Sequence, residues 1–211
     1  MTLEVIFVTG TGTDVGKTYI ASRLAETRRA SGSRVGVYKP VASGCAPGKD
    51  GERIASDAVE LWESAGRPLS LHKVCPQRFE KPVAPPEAAA AEGKTVDEGL
   101  LIDGVQPWLD TSLDVLLIEG AGGLFSPISE SMLNIDFALA MRDRLPQLQV
   151  VMIAPNRLGV IHDCIASVRA ASVAGLQITS IQLNSIGQPD ASSETNAASI
   201  EQWTGVRVLS L

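Results

Sequence analysis

The sequence predicts an α/β protein with a doubly wound, mainly parallel sheet flanked by helices, in one domain over residues 1–211. Short apolar runs alternate along the chain with segments of helix length, which is the order of βα units. The runs are nearly continuous in Val, Ile and Leu, as in strands buried on both faces of a parallel sheet. A hydrophobic content of 45% with 4% aromatic residues fits an aliphatic core, and 211 residues suffice for one such domain.

Six strands and six helices follow from this pattern. The strands are predicted over residues 5–8, 35–38, 115–118, 150–153, 178–183 and 206–209. The helices are predicted over residues 19–30, 57–64, 96–109, 134–144, 160–174 and 194–203, with loops over 42–51 and 75–91. Both loops are long for connections in a compact domain, which is typical of functional loops.

A glycine-rich turn, GTGTDVGKT at residues 10–18, joins the first strand to the first helix. Glycines let backbone N–H groups turn toward an anion, and the helix N-terminus adds partial positive charge. Lys17 is expected to reach the β- and γ-phosphates of a nucleotide, and the Thr18 hydroxyl to face Mg²⁺. The strict P-loop pattern places a glycine at Thr11, whereas Gly10 lies one residue earlier, and the dinucleotide-binding pattern fails at its third glycine. The turn therefore predicts a P-loop NTPase-like domain that binds a nucleoside triphosphate.

Polar residues follow several of the predicted strands, and ligands of open α/β sheets bind beyond the carboxyl ends of strands. Lys39 follows the second strand and precedes a loop of small residues, which favours a site lysine over a surface lysine. Glu119 closes the third strand and is either a solvated strand-end acid or a Mg²⁺ ligand; the glycine cluster after it favours the ligand. On local grounds alone, Asp57 is an ordinary acid at a helix start.

Composition argues against several other classes of protein. A net charge of −6 without a basic run makes nucleic acid an unexpected partner, and charged residues interrupt every apolar stretch that could span a bilayer. Three widely spaced cysteines favour reduced thiols, and the N-terminus has no secretion signal, so a cytoplasmic location is expected. The two histidines have no zinc-binding spacing, and no G-x-S-x-G elbow of a hydrolase is present.

Five motifs together resemble the dethiobiotin synthetase family over nearly the whole chain. They are the glycine-rich turn with its extra residue, Lys-Pro-Val-Ala-Ser-Gly at 39–44, Ser-Asp-Ala at 56–58, Glu-Gly-Ala-Gly-Gly at 119–123, and Arg-Leu-Gly at 157–159 leading to Leu-Asn at 183–184. The resemblance implies a homodimeric ATP- and Mg²⁺-dependent cyclo-ligase that joins CO₂ to 7,8-diaminononanoate, giving dethiobiotin, ADP and phosphate. In this chemistry the diamine takes up CO₂ as a carbamate, the carbamate attacks the γ-phosphate, and the second amine closes the ureido ring.

The family pattern, carried over position by position, implies a role for each motif residue. Lys17 and Lys39 are the implied catalytic residues, and Mg²⁺ is implied on Thr18, Asp57 and Glu119. The implied ATP contacts are Gly12, Thr13, Asp14, Val15, Gly16, Lys17, Thr18, Asp57, Glu119, Gly120, Ala121, Gly122, Asn184, Ser185, Val208, Leu209 and Ser210. The implied substrate contacts are Thr13, Ser43 and Pro82, together with a helix start that would hold the substrate carboxylate across the dimer interface and consists of Gly159, Val160, Ile161 and His162.

Departures from the family pattern bear on specificity. Pro86 stands where the family usually has His, and His162 begins a His-Asp pair where Asn-His is common. Ser185 replaces the Asp that commonly follows Asn184. With this Ser, base recognition is expected to rest on Asn184 and the backbone of residues 208–210, and to be more permissive toward other nucleotides.

Two other P-loop functions fit part of the pattern. A cobyrinate-amidating synthetase carries additional glutamine-hydrolysing domains, for which 211 residues leave no room. A ParA/MinD-like ATPase switch has an early signature lysine in its loop and an amphipathic C-terminal helix. Here Gly10 and Thr11 occupy the region of that lysine, and no such helix follows in the sequence.

Overall fold

A computed structural model describes residues 3–48, 51–186, 188 and 190–210 of the chain. Within these ranges the strands are β1 Glu4–Gly10, β2 Val35–Tyr38, β3 Val41–Ala42, β4 Ala46–Pro47, β5 Arg53–Ile54, β6 Gln77–Arg78, β7 Val115–Glu119, β8 Leu148–Pro155, β9 Ser180–Asn184 and β10 Arg207–Ser210. The helices are α1 Lys17–Ala30, α2 Ser56–Ser64, α3 Leu71–Val74, α4 Pro85–Ala91, α5 Glu98–Asp103, α6 Gln106–Leu109, α7 Asn134–Arg144, α8 Val160–Val173 and α9 Asn196–Thr204.

Six strands form one sheet in the order β10-β9-β8-β1-β7-β2, and every neighbouring pair is parallel. Helices flank this sheet, and two short ladders, β3–β6 and β4–β5, lie outside it. All six predicted strands are present in the sheet, with ends shifted by a few residues. The predicted α/β class with a mainly parallel sheet is therefore confirmed.

The strand order places the candidate site at the carboxyl edge of the sheet, beside β1. The chain builds β2 and β7 on one side of β1, and β8, β9 and β10 on the other. Where the strand order switches sides in this way, the loops that leave the strand ends diverge and open a crevice. Tyr38 of β2 lies opposite Ile118 of β7. Lys39 and Glu119, the residues that follow them, therefore emerge side by side at this edge.

The central strand is anchored by aromatic packing on one face. Phe7 of β1 is fully buried and meets Phe137 of α7 edge-on, with ring centroids 5.7 Å apart. Such edge-to-face pairs stabilise a core beyond their buried area by about 0.5–1.5 kcal/mol. This contact seats α7 against the strand that delivers the glycine-rich turn.

The prediction of one helix over residues 96–109 is wrong, because α5 and α6 are two short helices with a break at Gly104. The Tyr38 hydroxyl lies 2.9 Å from the carbonyl oxygens of both Leu100 and Leu101, and the second of these is the acceptor that a continuing helix would offer to Val105. A side chain at Gly104 would collide with this hydroxyl. This contact from β2 lies at the end of α5, and Pro107 in the first turn of α6 also interrupts a single helix, because proline has no N–H to donate.

The two predicted loops contain short ordered elements that the sequence pattern did not predict. Residues 42–51 include β4, and residues 75–91 include β6 and α4, while α3 precedes the second loop. Helix α4 begins with two prolines, which suit the first turn because their missing N–H groups would be unpaired there. Among the described residues, every helix is too short or too polar to cross a bilayer.

Candidate active site

The glycine-rich turn between β1 and α1 forms a cradle for an anion. Asp14 and Gly16 have left-handed backbone conformations, with φ of 57° and 88°. Gly16 precedes α1, so the amides of the first helical turn, from Lys17 onward, are available to a phosphate. A side chain at Gly16 would collide with Asn184 Nδ2, and this same atom donates a hydrogen bond to Val15 O over 3.1 Å. Asn184, at the end of β9, therefore packs against the turn and hydrogen-bonds to its backbone.

Lys17 is buried and reaches back across the turn. Its Nζ donates to Gly12 O over 3.0 Å. Burial is the largest influence on this amine and lowers the pKa of Lys17; the charge of Glu119 opposes the change and the charge of Lys39 adds to it. An ammonium with reduced hydration interacts strongly with an incoming phosphate, because the surrounding medium screens the attraction less.

Lys39 lies between two carboxylates at the carboxyl edge of the sheet. Its Nζ donates to Glu119 Oε1, and it lies 3.3 Å from Asp57 Oδ2. Lys39 is 4% exposed and Glu119 is 1% exposed, whereas the Asp57 side chain is 52% exposed. Burial alone would lower the pKa of Lys39, but the charges of Glu119 and Asp57 outweigh it and raise the pKa above its ordinary value. Lys39 is therefore a fixed cation.

The predicted metal ligands also meet here. Thr18 Oγ1 donates to Glu119 Oε1 over 2.9 Å, and Glu119 Oε2 is buried without a hydrogen-bond partner among the described residues. In the described part of the chain, no three His, Cys, Asp or Glu side chains cluster closely enough to hold a metal by themselves. Mg²⁺ at nucleotide sites is typically bound by one or two carboxylates, with phosphate oxygens and water completing the shell. The oxygen atoms of Thr18, Asp57 and Glu119 fit that requirement.

A cleft of about 720 Å³ lies over these groups. It brings together the predicted residues Thr13, Asp14, Gly16, Lys17, Thr18, Lys39, Ser43, Asp57, Pro82, Glu119, Ala121 and Gly122. Apolar side chains from the 82–85 segment, with Val41 and Ala42, form one wall. The cleft therefore combines a floor that carries the two lysines with an apolar side.

The remaining predicted residues lie outside this cleft. Ser185 is exposed after the end of β9, and the neighbouring strand β10 brings Val208, Leu209 and the backbone of Ser210 to the same edge. Gly120 directly follows β7 and is buried, with its N–H donating to Val8 O over 3.1 Å.

The predicted carboxylate-binding segment, residues 159–162, forms the start of α8. Gly159 precedes the helix with φ of 96°, Val160 is buried, and His162 is exposed. Leu158, just before it, is 81% exposed. Residues 159–162 are not among the residues that line the cleft.

Sequence reasoning missed several residues of the site, among them the lining residues Tyr19, Ser126 and Pro127, and also Asn134, which does not itself line the cleft. Asn134 is buried at the start of α7 and hydrogen-bonds to the loop after β7, which lines the cleft. The sequence signal for it is weak, since an Asn at a helix start is common.

The fold and the site define a P-loop nucleotide-binding protein. A family model described as an AAA domain matches residues 4–210. The signal recognition particle receptor FtsY from Elizabethkingia anophelis, in complex with GDP, shares the fold with a TM-score of 0.57 at 17% identity. The match covers 99% of this chain and 56% of that chain.

Sequence relatives then specify the family. The ATP-dependent dethiobiotin synthetase BioD of Rhodopirellula baltica is 48% identical over 205 residues, which cover 95% of this chain and 80% of that protein. The enzyme of the same name from Caulobacter vibrioides strain NA1000 is 36% identical over 190 residues, covering 89% and 83% of the two chains. The chain therefore belongs to the ATP-dependent dethiobiotin synthetase family. This confirms the predicted family, the ATP-dependent ligase class and the assignment to biotin biosynthesis.

Proposed function

We propose that this protein is an ATP- and Mg²⁺-dependent cyclo-ligase that forms the ureido ring of dethiobiotin from 7,8-diaminononanoate and CO₂. The observation that supports this most directly is the convergence of two buried lysines, Lys17 and Lys39, with Thr18, Asp57 and Glu119 in one cleft. Phosphoryl transfer requires positioning and charge neutralisation more than covalent help. Two buried lysines beside a pair of carboxylates supply both.

The reaction divides into three steps. One amine of the diamine adds to CO₂ and loses a proton, giving a carbamate. A carbamate oxygen then attacks the γ-phosphorus of ATP, ADP leaves, and a mixed carbamic–phosphoric anhydride results. The second amine attacks the carbonyl carbon of this anhydride, the C–O bond to phosphate breaks, and the ring closes with loss of a proton.

The residues of the cleft fit these steps. Lys17 binds the β- and γ-phosphates, and Lys39 neutralises the carbamate and the γ-phosphate as they meet. The hydroxyls of Thr13 and Ser43 hydrogen-bond to the diamine or carbamate, and Pro82 belongs to the apolar wall that suits an alkyl chain. The oxygen atoms of Thr18, Asp57 and Glu119 would hold Mg²⁺, which would supply further neutralisation of the phosphate charge. Lys39 forms an ion pair with Glu119 in the absence of ligands. When the anionic substrates bind, the Lys39 ammonium interacts with them as well as with Glu119.

The substrate carboxylate is proposed to rest on the α8 start, residues 159–162, of a second subunit in a homodimer. Helix starts bind anions through their free N–H groups, and this one does not line the cleft of its own subunit. Ile161→Pro removes one N–H from the first turn, where proline is tolerated, so the helix should persist. It should raise KM for the diamine with little change in KM for ATP. Full activity from a proven monomer would refute the shared site.

Base recognition is proposed to rest on Asn184 and on the backbone of residues 208–210. Ser185 offers a neutral hydroxyl where a carboxylate is common in the family, and losing a strong acceptor typically relaxes discrimination by about 1–3 kcal/mol. The enzyme should therefore accept other nucleoside triphosphates more readily than a family member with Asp at that position. The test compares kcat/KM for ATP, GTP and CTP, and strict selectivity for ATP would refute it.

A steady-state assay of ADP release tests the proposed function as a whole. Turnover should require the diamine, bicarbonate as the source of CO₂, and Mg²⁺ together, and dethiobiotin should form in equal amount to ADP. EDTA should abolish turnover, and added Mg²⁺ should restore it. ATP hydrolysis that continues without the diamine would instead indicate an ATPase switch.

A further inference from the structure

Asn134 makes all its observed side-chain hydrogen bonds to one loop, residues 120–126, which we term the glycine loop. The side chain is 0% exposed. Its Oδ1 accepts from the Ala121 N–H over 2.9 Å, and its Nδ2 donates toward the carbonyls of Ala121, Gly123 (3.1 Å) and Ser126 (3.0 Å). A buried amide with both ends satisfied specifies one geometry, because any other arrangement leaves polar groups without partners.

The glycine loop forms part of the cleft wall, where Ala121, Gly122 and Ser126 line the space beside the lysines. The loop also rests on the phosphate-binding turn. Leu124 N donates to Gly10 O over 3.0 Å. A methyl group added at Gly123 would come 3.2 Å from the Cα of Gly12, which belongs to the turn. One side chain therefore sets the distance between the cleft wall and the turn that holds the phosphates.

The contact also explains the glycine directly after Glu119. A methyl group at Gly120 would lie 2.7 Å from Asn134 Oδ1, closer than such contacts permit. Since Gly120 N–H donates to Val8 O, the chain leaves β7 along a fixed path into the Asn134 contact. The backbone immediately after the predicted metal ligand is thus held from outside the cleft.

We propose that Asn134 is a positioning residue for the ligase reaction. It holds the glycine loop in its reactive shape before the substrates bind, so that no rearrangement of the wall is needed during phosphoryl transfer. The inference rests on the proposed function for its kinetic readout, and it has a structural readout that does not depend on that function.

The variant Asn134→Asp tests this with little change in size. It keeps an acceptor for the Ala121 N–H but turns a second oxygen toward three carbonyl oxygens. The loop should shift, and kcat for dethiobiotin formation should fall by roughly 10- to 100-fold, the effect of a displacement of about 1 Å in an active site. The fall in kcat should exceed the rise in KM for ATP, because the lost interaction acts during the reaction. If this variant does not fold, Asn134→Ala removes the same hydrogen bonds without adding a charge.

Tyr38→Phe is the matched control. It removes a buried hydroxyl that donates to two backbone carbonyls, and neither Tyr38 nor these carbonyls line the cleft, so it should cost stability but leave kcat unchanged. Hydrogen exchange of the Ala121 amide gives the second readout, and it should speed up in Asn134→Ala, which lacks the acceptor, but not in Tyr38→Phe. Wild-type kcat together with unchanged exchange in a folded Asn134 variant would overturn the inference. If the wild-type protein made no dethiobiotin, the proposed function would fail, while the Ala121 exchange would still decide the role of Asn134.

Discussion

Replacing Lys39 by Met should destabilise the protein well beyond the effect of an ordinary surface substitution. Lys39 is the charged partner of Glu119, and both side chains are almost fully buried. Removing one member of a buried ion pair leaves an uncompensated charge and typically costs about 3–5 kcal/mol. The hydrogen bond from Thr18 to Glu119 remains, but a neutral hydroxyl does not replace an ammonium.

The loss in the free energy of unfolding can be measured by urea or thermal unfolding without nucleotide, monitored by circular dichroism. For a domain of this size, about 3–5 kcal/mol corresponds to a fall in Tm of roughly 6–20 °C. Asp57→Asn is the matched control, since it removes the half-exposed partner of the same lysine, and exposed pairs contribute at most about 1 kcal/mol.

A double-mutant cycle separates the structural and catalytic roles of Lys39. The double variant Lys39→Met/Glu119→Gln removes both charges, so most of the lost stability should return while the enzyme stays inactive. A Lys39→Met protein within about 1 kcal/mol of wild type would refute the buried-pair reasoning. So would a double variant that is less stable than either single variant.

Three further outcomes follow from the structure. Gly16→Ala should lower the free energy of unfolding by at least about 1–2 kcal/mol and weaken nucleotide binding, because Gly16 has a left-handed backbone conformation and an added methyl group there would collide with Asn184. Gly12→Ala is the stability control, since an added methyl group at Gly12 meets open space. Hydrogen bonds from Arg34 lower the pKa of Asp114 from 3.8 to about 2, so this carboxylate stabilises the fold above pH 3.8, and its contribution is lost as the pH falls toward 2. Asp114→Asn should therefore reduce the loss of stability between pH 3.8 and pH 2. An acid-unfolding profile that is unchanged in this variant would contradict the pairing. The three cysteines, Cys45, Cys75 and Cys164, are buried, and burial raises the pKa of each thiol. Since the thiolate is the reactive form, their alkylation by iodoacetamide at pH 8 should be at least about a hundredfold slower in the native protein than in urea. Rapid labelling of the native protein would contradict the burial of these thiols.

The sequence predicted which residues gather at the edge of the sheet, because parallel strands share their carboxyl ends. It could not predict which of them pair. The contact between Lys39 and Glu119 depends on β2 and β7 being neighbours, in a register that sets Tyr38 opposite Ile118. That register is decided by the packing of the whole sheet, since the two strands are far apart in the chain.

The misses have a common physical cause. At the break near Gly104 a tyrosine hydroxyl on β2 contacts the last carbonyls of α5, and the role of Asn134 comes from a loop that precedes it by several residues. Local patterns describe what a segment can do alone, whereas in both places a side chain from elsewhere takes over backbone groups. A glycine cluster in the sequence indicates that such contacts are needed, because a glycine-rich loop is well ordered only when side chains from other segments hold it.

The central position of β1 has a consequence for synthesis on the ribosome. β1 ends at Gly10, yet its partners are β7 and β8, and β8 ends at Pro155, about 145 residues later. At a translation rate of about 5–20 residues per second, the apolar strand waits roughly 7–30 s before both of its edges can be covered. Throughout that interval the nascent chain carries a hydrophobic strand with at least one uncovered edge, because β7 can cover one edge before β8 is complete. Slow elongation should therefore increase its dependence on chaperones that shield apolar segments during translation.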